Sequence, residues 1–244
     1  MKWSTYIKMV FDTIYGAIRK KYPKKTDEVL IVGISGSVAS GKSAFTRELF
    51  HFIEPKGITP ITWGGDYYQA SREERLKRLE NLKKEGKTDK WIERIGRMYF
   101  DVYEWNLMFD HMEKIKRRED IEPIKLYQRK TGKWDKEVNL TFKDKIGPVW
   151  CLYNGVFLLD QRVRPYIDQV IFLDADREVR FRRAAQRASR QKEPYTIDRE
   201  KFMDLDSFIS EYISDYLNKD EDIVIDNNDF RNRKIKSLPR MLSP

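Results

Sequence analysis

The chain has 244 residues, 40% of them hydrophobic and 36% charged, which suits one α/β domain with an inserted lobe. Its single cysteine, Cys151, excludes an internal disulfide framework and favours the reducing cytoplasm, and no segment approaches the ~20 apolar residues of a membrane span. The net charge of +9 admits a nucleic-acid partner, but glutamates are interleaved with the basic residues between Arg72 and Arg97, as on a solvated helix.

The N-terminal segment predicts a helix. Apolar residues recur at helical spacing through residues 2–21, and Pro23 with a charged stretch connects them to the first strand. We expect this amphipathic helix to pack against the core. A surface for a partner or a homo-oligomer is the alternative.

Residues 29–43 carry the strongest motif of the chain. An apolar run predicts a buried strand, which stops at Gly36-x-x-x-x-Gly41-Lys42-Ser43 and is followed by a helical pattern, the order of a P-loop. Glycines let backbone N–H groups surround a phosphate, and the helix N-terminus attracts it. Lys42 would reach the β- and γ-phosphates, and the Ser43 hydroxyl would ligate Mg²⁺. We therefore expect a nucleoside triphosphate to bind at Gly36, Ser37, Ala39, Ser40, Gly41, Lys42 and Ser43.

Beyond the P-loop, buried strands alternate with helices, which predicts a doubly wound parallel sheet. The basic tail from Arg231 predicts no element and is expected to be mobile at its end. The predicted strands cover 58–63, 121–127, 137–142, 149–153, 169–173 and 222–225, and the predicted helices cover 71–86, 88–97, 103–118, 177–190 and 197–217.

Polar turns follow the strands of this predicted sheet. Because the carboxyl ends of parallel strands share one edge, these turns predict a single cleft. Asp66 follows the second strand, which we expect to lie beside the P-loop strand, so its carboxylate would act as general base or metal ligand. An Asp N-cap is the alternative. The turns are the P-loop, Asp66, Asn154, Asp174 and Asp226–Asn228.

Six arginines crowd the helix predicted at 177–190, with almost no acids between Arg180 and Arg190. Guanidinium groups grip phosphates at two points and can neutralise charge on a transferring group. Arg183 and Arg187 share one helix face, which favours a lid that closes over the nucleotide. A basic nucleic-acid-binding helix is the competing interpretation.

In this order, the motifs resemble the uridine kinase and phosphoribulokinase family of P-loop small-molecule kinases over nearly the whole chain after Glu28. The resemblance implies a P-loop kinase domain at 29–244, with a substrate lobe over 67–145 and a lid over 177–196, which follows the N-terminal amphipathic helix and connector predicted at 1–28. The matching segments are the P-loop, 65–68, 100–101, 123–127, 154–156, 172–176 and 222–228.

The resemblance also implies an activity, the transfer of the ATP γ-phosphate to a hydroxyl of a nucleoside-like or sugar-like molecule, with Mg²⁺. It carries over Lys42 and Ser43 as phosphate and metal ligands, Asp66 as base and metal ligand, Arg183 and Arg187 as lid contacts, and Asn227 on the base side. On the acceptor side we expect Asp66, Tyr68, Asp101 and Tyr127 from the resemblance, and Arg129 from a departure described next, although Tyr67 and Tyr68 are equally consistent with core aromatics.

Three positions depart from the family pattern. Asn154 replaces an acid, Gln69 replaces a frequent tyrosine, and residues 127–132 lack the base-reading histidine of uridine kinases. Arg129 and Lys130 therefore suggest an acceptor that already carries an anionic group. A nucleotide or polynucleotide kinase, or a regulatory nucleotide-binding protein that lost catalysis with the acid at 154, are the alternative functions.

Overall fold

The computed structural model describes residues 5–23, 29–86, 103–191 and 198–240. The chain divides into two compact units: the sheet unit, Met1–Trp63 with Ile146–Pro244, and the hairpin unit, Gly64–Lys145. The helix predicted at 88–97, the end of the predicted lid at 192–196, and Asp101 lie outside the described residues.

The described part of the sheet unit contains one six-stranded sheet. Its strands are β1 Val29–Ser35, β2 Thr59–Gly64, β5 Val149–Asn154, β6 Gln169–Asp174, β7 Ile223–Asp226 and β8 Lys234–Ser237. They lie in the order β2-β5-β1-β6-β7-β8. β1 pairs in parallel with β5 and β6, and β6 pairs in parallel with β7, which confirms the predicted α/β class with its mostly parallel sheet. β3 Ile121–Gln128 and β4 Lys133–Leu140 belong to the hairpin unit.

Four helices accompany this sheet: α1 Thr5–Lys21, α2 Lys42–Ile53, α5 Arg177–Gln191 and α6 Arg199–Tyr216. The apolar stripe of α1 enters the core, where the ring of Phe11 lies 5.2 Å from that of Phe45 on α2. Trp150 of β5 belongs to the same cluster. No helix within the described ranges is long and apolar enough to cross a bilayer.

The hairpin unit joins two helices, α3 Arg72–Lys84 and α4 Trp105–Lys116, to the antiparallel pair β3–β4. A short 3₁₀ helix, Gly65–Tyr68, begins directly after β2. Ser71 caps α3, because its hydroxyl accepts a hydrogen bond from the Glu74 N–H at 3.1 Å. The bounds of α3 and α4 fall within the predicted helices.

Two predictions about the sheet were wrong. β5 lies between β1 and β2, so the strand that precedes Asp66 is not the neighbour of the P-loop strand. The tail beyond Arg231 contains β8, which pairs antiparallel with β7. On this edge strand, exposed lysines alternate with half-buried residues. Because the segment is so strongly charged, its sequence resembles a solvated tail and did not predict a strand. β4 also begins four residues before the predicted strand at 137–142.

Candidate active site

The loop between β1 and α2 has the backbone of a phosphate-binding turn. Gly36, Ala39 and Gly41 have φ angles of 148°, 60° and 100°. A Cβ atom at Gly36 would lie 2.6 Å from the Leu173 carbonyl oxygen and 2.6 Å from Ser40 Oγ. No side chain fits at Gly36 without a backbone shift. Glycine at this position therefore lets the loop backbone come close to its neighbours.

The first turn of α2 is arranged to receive an anion. The helix begins at Lys42, with no acidic residue in its first turn and no side-chain cap, so its dipole end is uncompensated. Lys42 Nζ donates to the carbonyl oxygens of Gly36 at 2.8 Å and Ser37 at 2.9 Å, which holds the ammonium over the loop. Ser43 is exposed, and the buried Ser40 hydroxyl has no hydrogen-bond partner among the described residues. These features fit a phosphate chain.

Asn227, after β7, fastens the P-loop to the rest of the sheet unit. Its amide is fully buried; Nδ2 donates to the Ser40 carbonyl at 2.6 Å, and Oδ1 accepts from Arg233 Nε at 2.6 Å. Its backbone N–H donates to the Asp174 carbonyl at 2.7 Å, and Arg233 also pairs with Glu48 on α2. Both ends of the amide are used within the protein, which gives the side chain a bracing role, and the nucleotide contact that we predicted for Asn227 stays a prediction.

Arg180, one of the clustered arginines, is a structural group. It is 5% exposed and forms a bidentate ion pair with Asp206 of α6, which is 2% exposed. Its Nε also donates to the Ala175 carbonyl at 2.7 Å. Burial lowers the pKa of Arg180 to about 10, with the charge of Arg177 adding to the effect, so it stays charged at neutral pH. This ion pair fastens the start of α5 to α6.

Arg183 lies one turn later on the same helix and reaches the P-loop, where its Nη1 donates to the Ser40 carbonyl at 3.4 Å. Its Nη2 donates to the carbonyl oxygens of Asn227 at 2.7 Å and Asn228 at 2.9 Å, and its guanidinium carbon lies 3.8 Å from the Phe230 ring centroid. Burial lowers the pKa of Arg183, and the positive charge of Arg233 lowers it further. Arg187 is half-buried one turn beyond. The closing movement of α5 stays a prediction.

The donors for a magnesium ion are sparse in the sheet unit. Within the described residues, no group of three or more His, Cys, Asp or Glu side chains could hold a metal ion. Asn154 ends β5 where the family resemblance expects an acid, and its Nδ2 donates to the Trp63 carbonyl at 3.4 Å. The exposed Ser43 hydroxyl fits a cation held mainly by nucleotide phosphates and water, the usual situation of Mg²⁺.

In the hairpin unit, Asp66 is an exposed carboxylate within the 3₁₀ helix. It caps neither this helix nor α3, whose caps are Gly64 and Ser71, so the N-cap alternative does not apply. Its Oδ1 accepts from Gln69 Nε2 at 3.3 Å. Burial and the charge of Asp66 raise the pKa of Tyr103, which keeps that phenol protonated. The Asp66 carboxylate is thus accessible on the surface of the hairpin unit.

Tyr68, predicted to line the acceptor pocket, is instead a core residue. It is 0% exposed, and its hydroxyl forms a 2.8 Å hydrogen bond with His111 Nδ1 on α4. Burial lowers the pKa of His111, so the imidazole is neutral at physiological pH. A side chain without exposed surface cannot touch an acceptor in this structure.

The other predicted acceptor residues have different surroundings. Tyr127 is largely buried on β3, and its hydroxyl accepts from Arg75 Nη2 at 2.9 Å. Arg129 is exposed in the turn that follows β3. Asp101 lies outside the described residues. Of these three residues, Tyr127 is the one that a chain of hydrogen bonds among the described residues connects to Asp66. The chain runs from Asp66 through Gln69 and Arg75 to Tyr127.

The sequence prediction missed four residues of these networks: Gln69, Arg75, Phe230 and Arg233. The sequence did indicate that Arg75 lacks an ion-pair partner on its own helix, because Ser71 and Leu79 occupy its i−4 and i+4 positions and neither is acidic. Arg78, by contrast, has Glu74 at i−4. Arg233 had no such signal, because its partner Glu48 is distant in sequence.

The fold and the loop define a P-loop kinase, and comparisons with known proteins agree. A D-glycerate 3-kinase from Cryptococcus neoformans var. grubii superposes with a TM-score of 0.64 at 13% identity, covering 95% of this chain and 99% of that one. The phosphoribulokinase from Rhodobacter spheroides gives 0.54 at 12% identity, covering 82% and 71%. In sequence, a uridine kinase from Listeria innocua serovar 6a is 26% identical over 193 residues, 78% of each chain.

Residues 31–223 match the model of the phosphoribulokinase/uridine kinase family, and the chain belongs to that family. It is a kinase, and the family assigns it a nucleotide and a small molecule as substrates. The resemblance inferred from its motifs is thereby confirmed.

Proposed function

We propose that this kinase transfers the γ-phosphoryl group of ATP, with Mg²⁺, to a hydroxyl of a nucleoside-like or sugar-like acceptor. The carrying observation is the P-loop, where glycines with positive φ angles, an uncapped helix N-terminus and an ammonium held by two loop carbonyls occur together. All three features favour the binding of a phosphate group.

On the nucleotide side, the backbone N–H groups of the loop and the Lys42 ammonium bind the β- and γ-phosphates. Lys42 would exchange its two carbonyl contacts for phosphate oxygens, which are stronger acceptors. Arg183 braces the loop from outside, and Arg187 is the arginine assigned to stabilise charge on the transferring group. Mg²⁺ would be held by the Ser43 hydroxyl together with nucleotide phosphates and water, and would neutralise phosphate charge.

On the acceptor side, the hairpin unit carries the base. The Asp66 carboxylate accepts the proton of the acceptor hydroxyl, whose oxygen forms the new P–O bond while the bond to the β-phosphate oxygen breaks. Asp66 suits this role because it is exposed and its hydrogen-bond partners, Gln69 and Tyr103, are neutral. Tyr127 contributes to the acceptor pocket through its phenol edge, and Arg129 through its charge.

The experiment is an ADP-release assay with Mg-ATP against nucleosides, sugars, sugar phosphates, hydroxy acids and a short oligonucleotide. Lys42→Met should lower kcat by on the order of 10³-fold, as removal of a charge-stabilising donor does. Asp66→Asn should lower kcat by about 10²–10⁴-fold while the dissociation constant of ATP changes little. Lys56→Met, in the same unit but beyond α2, is the matched lysine control.

Three outcomes separate the candidate functions. Acceptor-dependent ADP release that Lys42→Met abolishes supports the small-molecule kinase. Turnover with the oligonucleotide alone supports a polynucleotide kinase. ATP binding without turnover on any acceptor supports the regulatory alternative, which the amide at Asn154 favours because it removes a charge from the site. Asn154→Glu would then be the variant to test for recovered activity.

A further inference from the structure

Successive arginines of α3 have opposite electrostatic surroundings. Arg78 is paired with Glu74 at 3.1 Å and with Glu104 at 2.6 Å. Arg75 lies one turn earlier and has no acidic partner among the residues that the structure describes. Arg78 thus has two carboxylate partners, whereas Arg75 has none within the described part of the chain.

The guanidinium of Arg75 is half-buried and only partly satisfied. Nη2 donates to the Tyr127 hydroxyl at 2.9 Å, and Nη1 lies 3.4 Å from Gln69 Oε1. Nε is buried with no hydrogen-bond partner in the described part of the chain. A guanidinium has five N–H donors, and both groups that it meets here are neutral. Burying a cation without a counter-ion is costly, so this arrangement calls for an anion.

Gln69 separates this cation from the proposed base. Its Nε2 donates to Asp66 Oδ1 at 3.3 Å, while its Oε1 faces Arg75. If Asp66 and Arg75 paired directly, each would neutralise the other. With one neutral amide between them, the carboxylate keeps its capacity to accept a proton and the guanidinium keeps its capacity to bind a ligand. The Gln69 backbone is itself fixed, since its carbonyl accepts from Trp134 Nε1 at 2.7 Å.

We infer that the acceptor is an anionic alcohol, either a phosphate ester or a hydroxy acid, whose charged group is bound by Arg75 while its hydroxyl lies at Asp66. This inference rests on the proposed function. A guanidinium fork matches the two oxygens of a carboxylate or phosphate, and Tyr127 holds the fork in place from one side. Arg75 is thus the specificity-determining residue that distinguishes a charged acceptor from a neutral one.

The turn after β3 carries two further cations and is joined to the start of α3. The Arg72 N–H donates to the Gly132 carbonyl at 2.8 Å, so the start of α3 is tied to the turn at residues 129–132. Arg129 and Lys130 are exposed in that turn. They add positive potential that would attract an anionic acceptor before Arg75 binds it.

The test is calorimetric binding in saturating Mg-ADP, which occupies the P-loop so that phosphates bind elsewhere. The probes are ribose 5-phosphate against ribose, and D-glycerate against glycerol. Wild-type protein should bind at least one anionic probe more than about 10-fold tighter than its neutral counterpart, and Arg75→Met should remove that preference, as loss of a charge-assisted hydrogen bond does. Arg78→Met is the matched control and should keep it.

Arg75→Lys, which retains charge but not the fork, should bind with intermediate affinity, and thermal unfolding of each variant checks that the hairpin unit is folded. Equal binding of charged and neutral probes by the wild type, or equal losses in Arg75→Met and Arg78→Met, overturns the inference. Because no turnover is measured, this result is separate from the assay of kinase activity: a kinase of neutral sugars would uphold the proposed function and refute the role of Arg75.

Discussion

The two units differ in the hydrogen-bond partners of the charged side chains near their candidate binding sites. In the sheet unit, three arginines near the P-loop form ion pairs or hydrogen bonds within the protein. Arg180 pairs with Asp206, Arg183 donates to the carbonyls of residues 227 and 228, and Arg233 contacts Glu48 and Asn227. In the hairpin unit, Arg75 and Asp66 meet the neutral amide of Gln69 instead of each other.

This difference is the one expected if, as we propose, the sheet unit binds the nucleotide and the hairpin unit binds the acceptor. A P-loop holds phosphate mainly through backbone N–H groups, so the surrounding side chains serve to fix the loop. An acceptor is recognised by side chains, and those that bind it must not be neutralised by other protein groups. The contrast predicts that mutations in the sheet unit cost stability first, whereas mutations near Arg75 and Asp66 cost binding or rate.

The largest stability effect is expected at the Arg180–Asp206 pair. Asp206→Ala leaves a buried guanidinium without its partner and should lower the free energy of unfolding by about 3–5 kcal/mol. Urea unfolding measures this loss. Asp204→Ala, at an exposed position of α6, should change stability little. Equal effects of the two variants would contradict the view that Arg180 is held by Asp206 and has a structural role.

A smaller effect is expected at Asn227. Asn227→Ala removes a buried amide that joins Ser40 and Arg233, and should cost about 1–3 kcal/mol. Since the P-loop loses a fixed contact, ATP should also bind more weakly, as measured by calorimetry. Asn232→Ala, in the exposed part of the same loop, should leave both properties unchanged. Weakened ATP binding at unchanged stability would instead favour the direct nucleotide contact that we predicted from the sequence.

The smallest effect concerns pH and the hairpin unit. Burial lowers the pKa of His111, so below the ordinary value of 6.5 the unfolded chain binds more protons than the folded chain. Stability should be full above that value and fall as the pH drops through it, by at most about 1.4 kcal/mol per pH unit for one group.

The sequence has two histidines, which allows a clean assignment of this pH dependence. His111→Asn should remove the slope in denaturant unfolding between pH 7.5 and 6, and His51→Asn, at an exposed position, should retain it. An unchanged slope in His111→Asn would mean that Tyr68 and His111 do not form a neutral buried pair.

Local signals predicted much of the sheet unit. The P-loop has a fixed spacing of residues and follows a fully apolar strand. Helix α5 carries a run of arginines, and helix α6 has apolar residues at helical spacing. β8 was missed because an edge strand of alternating lysines resembles a solvated tail. The place of β5 between β1 and β2 is decided by long-range pairing, which no local pattern records.

The individual site residues were harder to predict, because residue type does not reveal burial. Tyr68 and Tyr127 are alike in sequence terms, yet one bonds to His111 in the core and the other to Arg75. Asn227 follows a strand at the expected edge, but its amide is used by Ser40 and Arg233. Motifs predict where a nucleotide binds; the partners of each side chain decide which residues remain to bind an acceptor.

The most direct test of the central claim follows the phosphorus atom. The protein is incubated with Mg-ATP labelled with ³²P at the γ position and with the acceptor found in the panel, and the products are separated. Labelled acceptor should form in equal amounts with ADP, and Asp66→Asn should lower its formation without preventing ATP binding. Label that appears only as inorganic phosphate, or stays in ATP with every acceptor, would contradict the assignment as a small-molecule kinase.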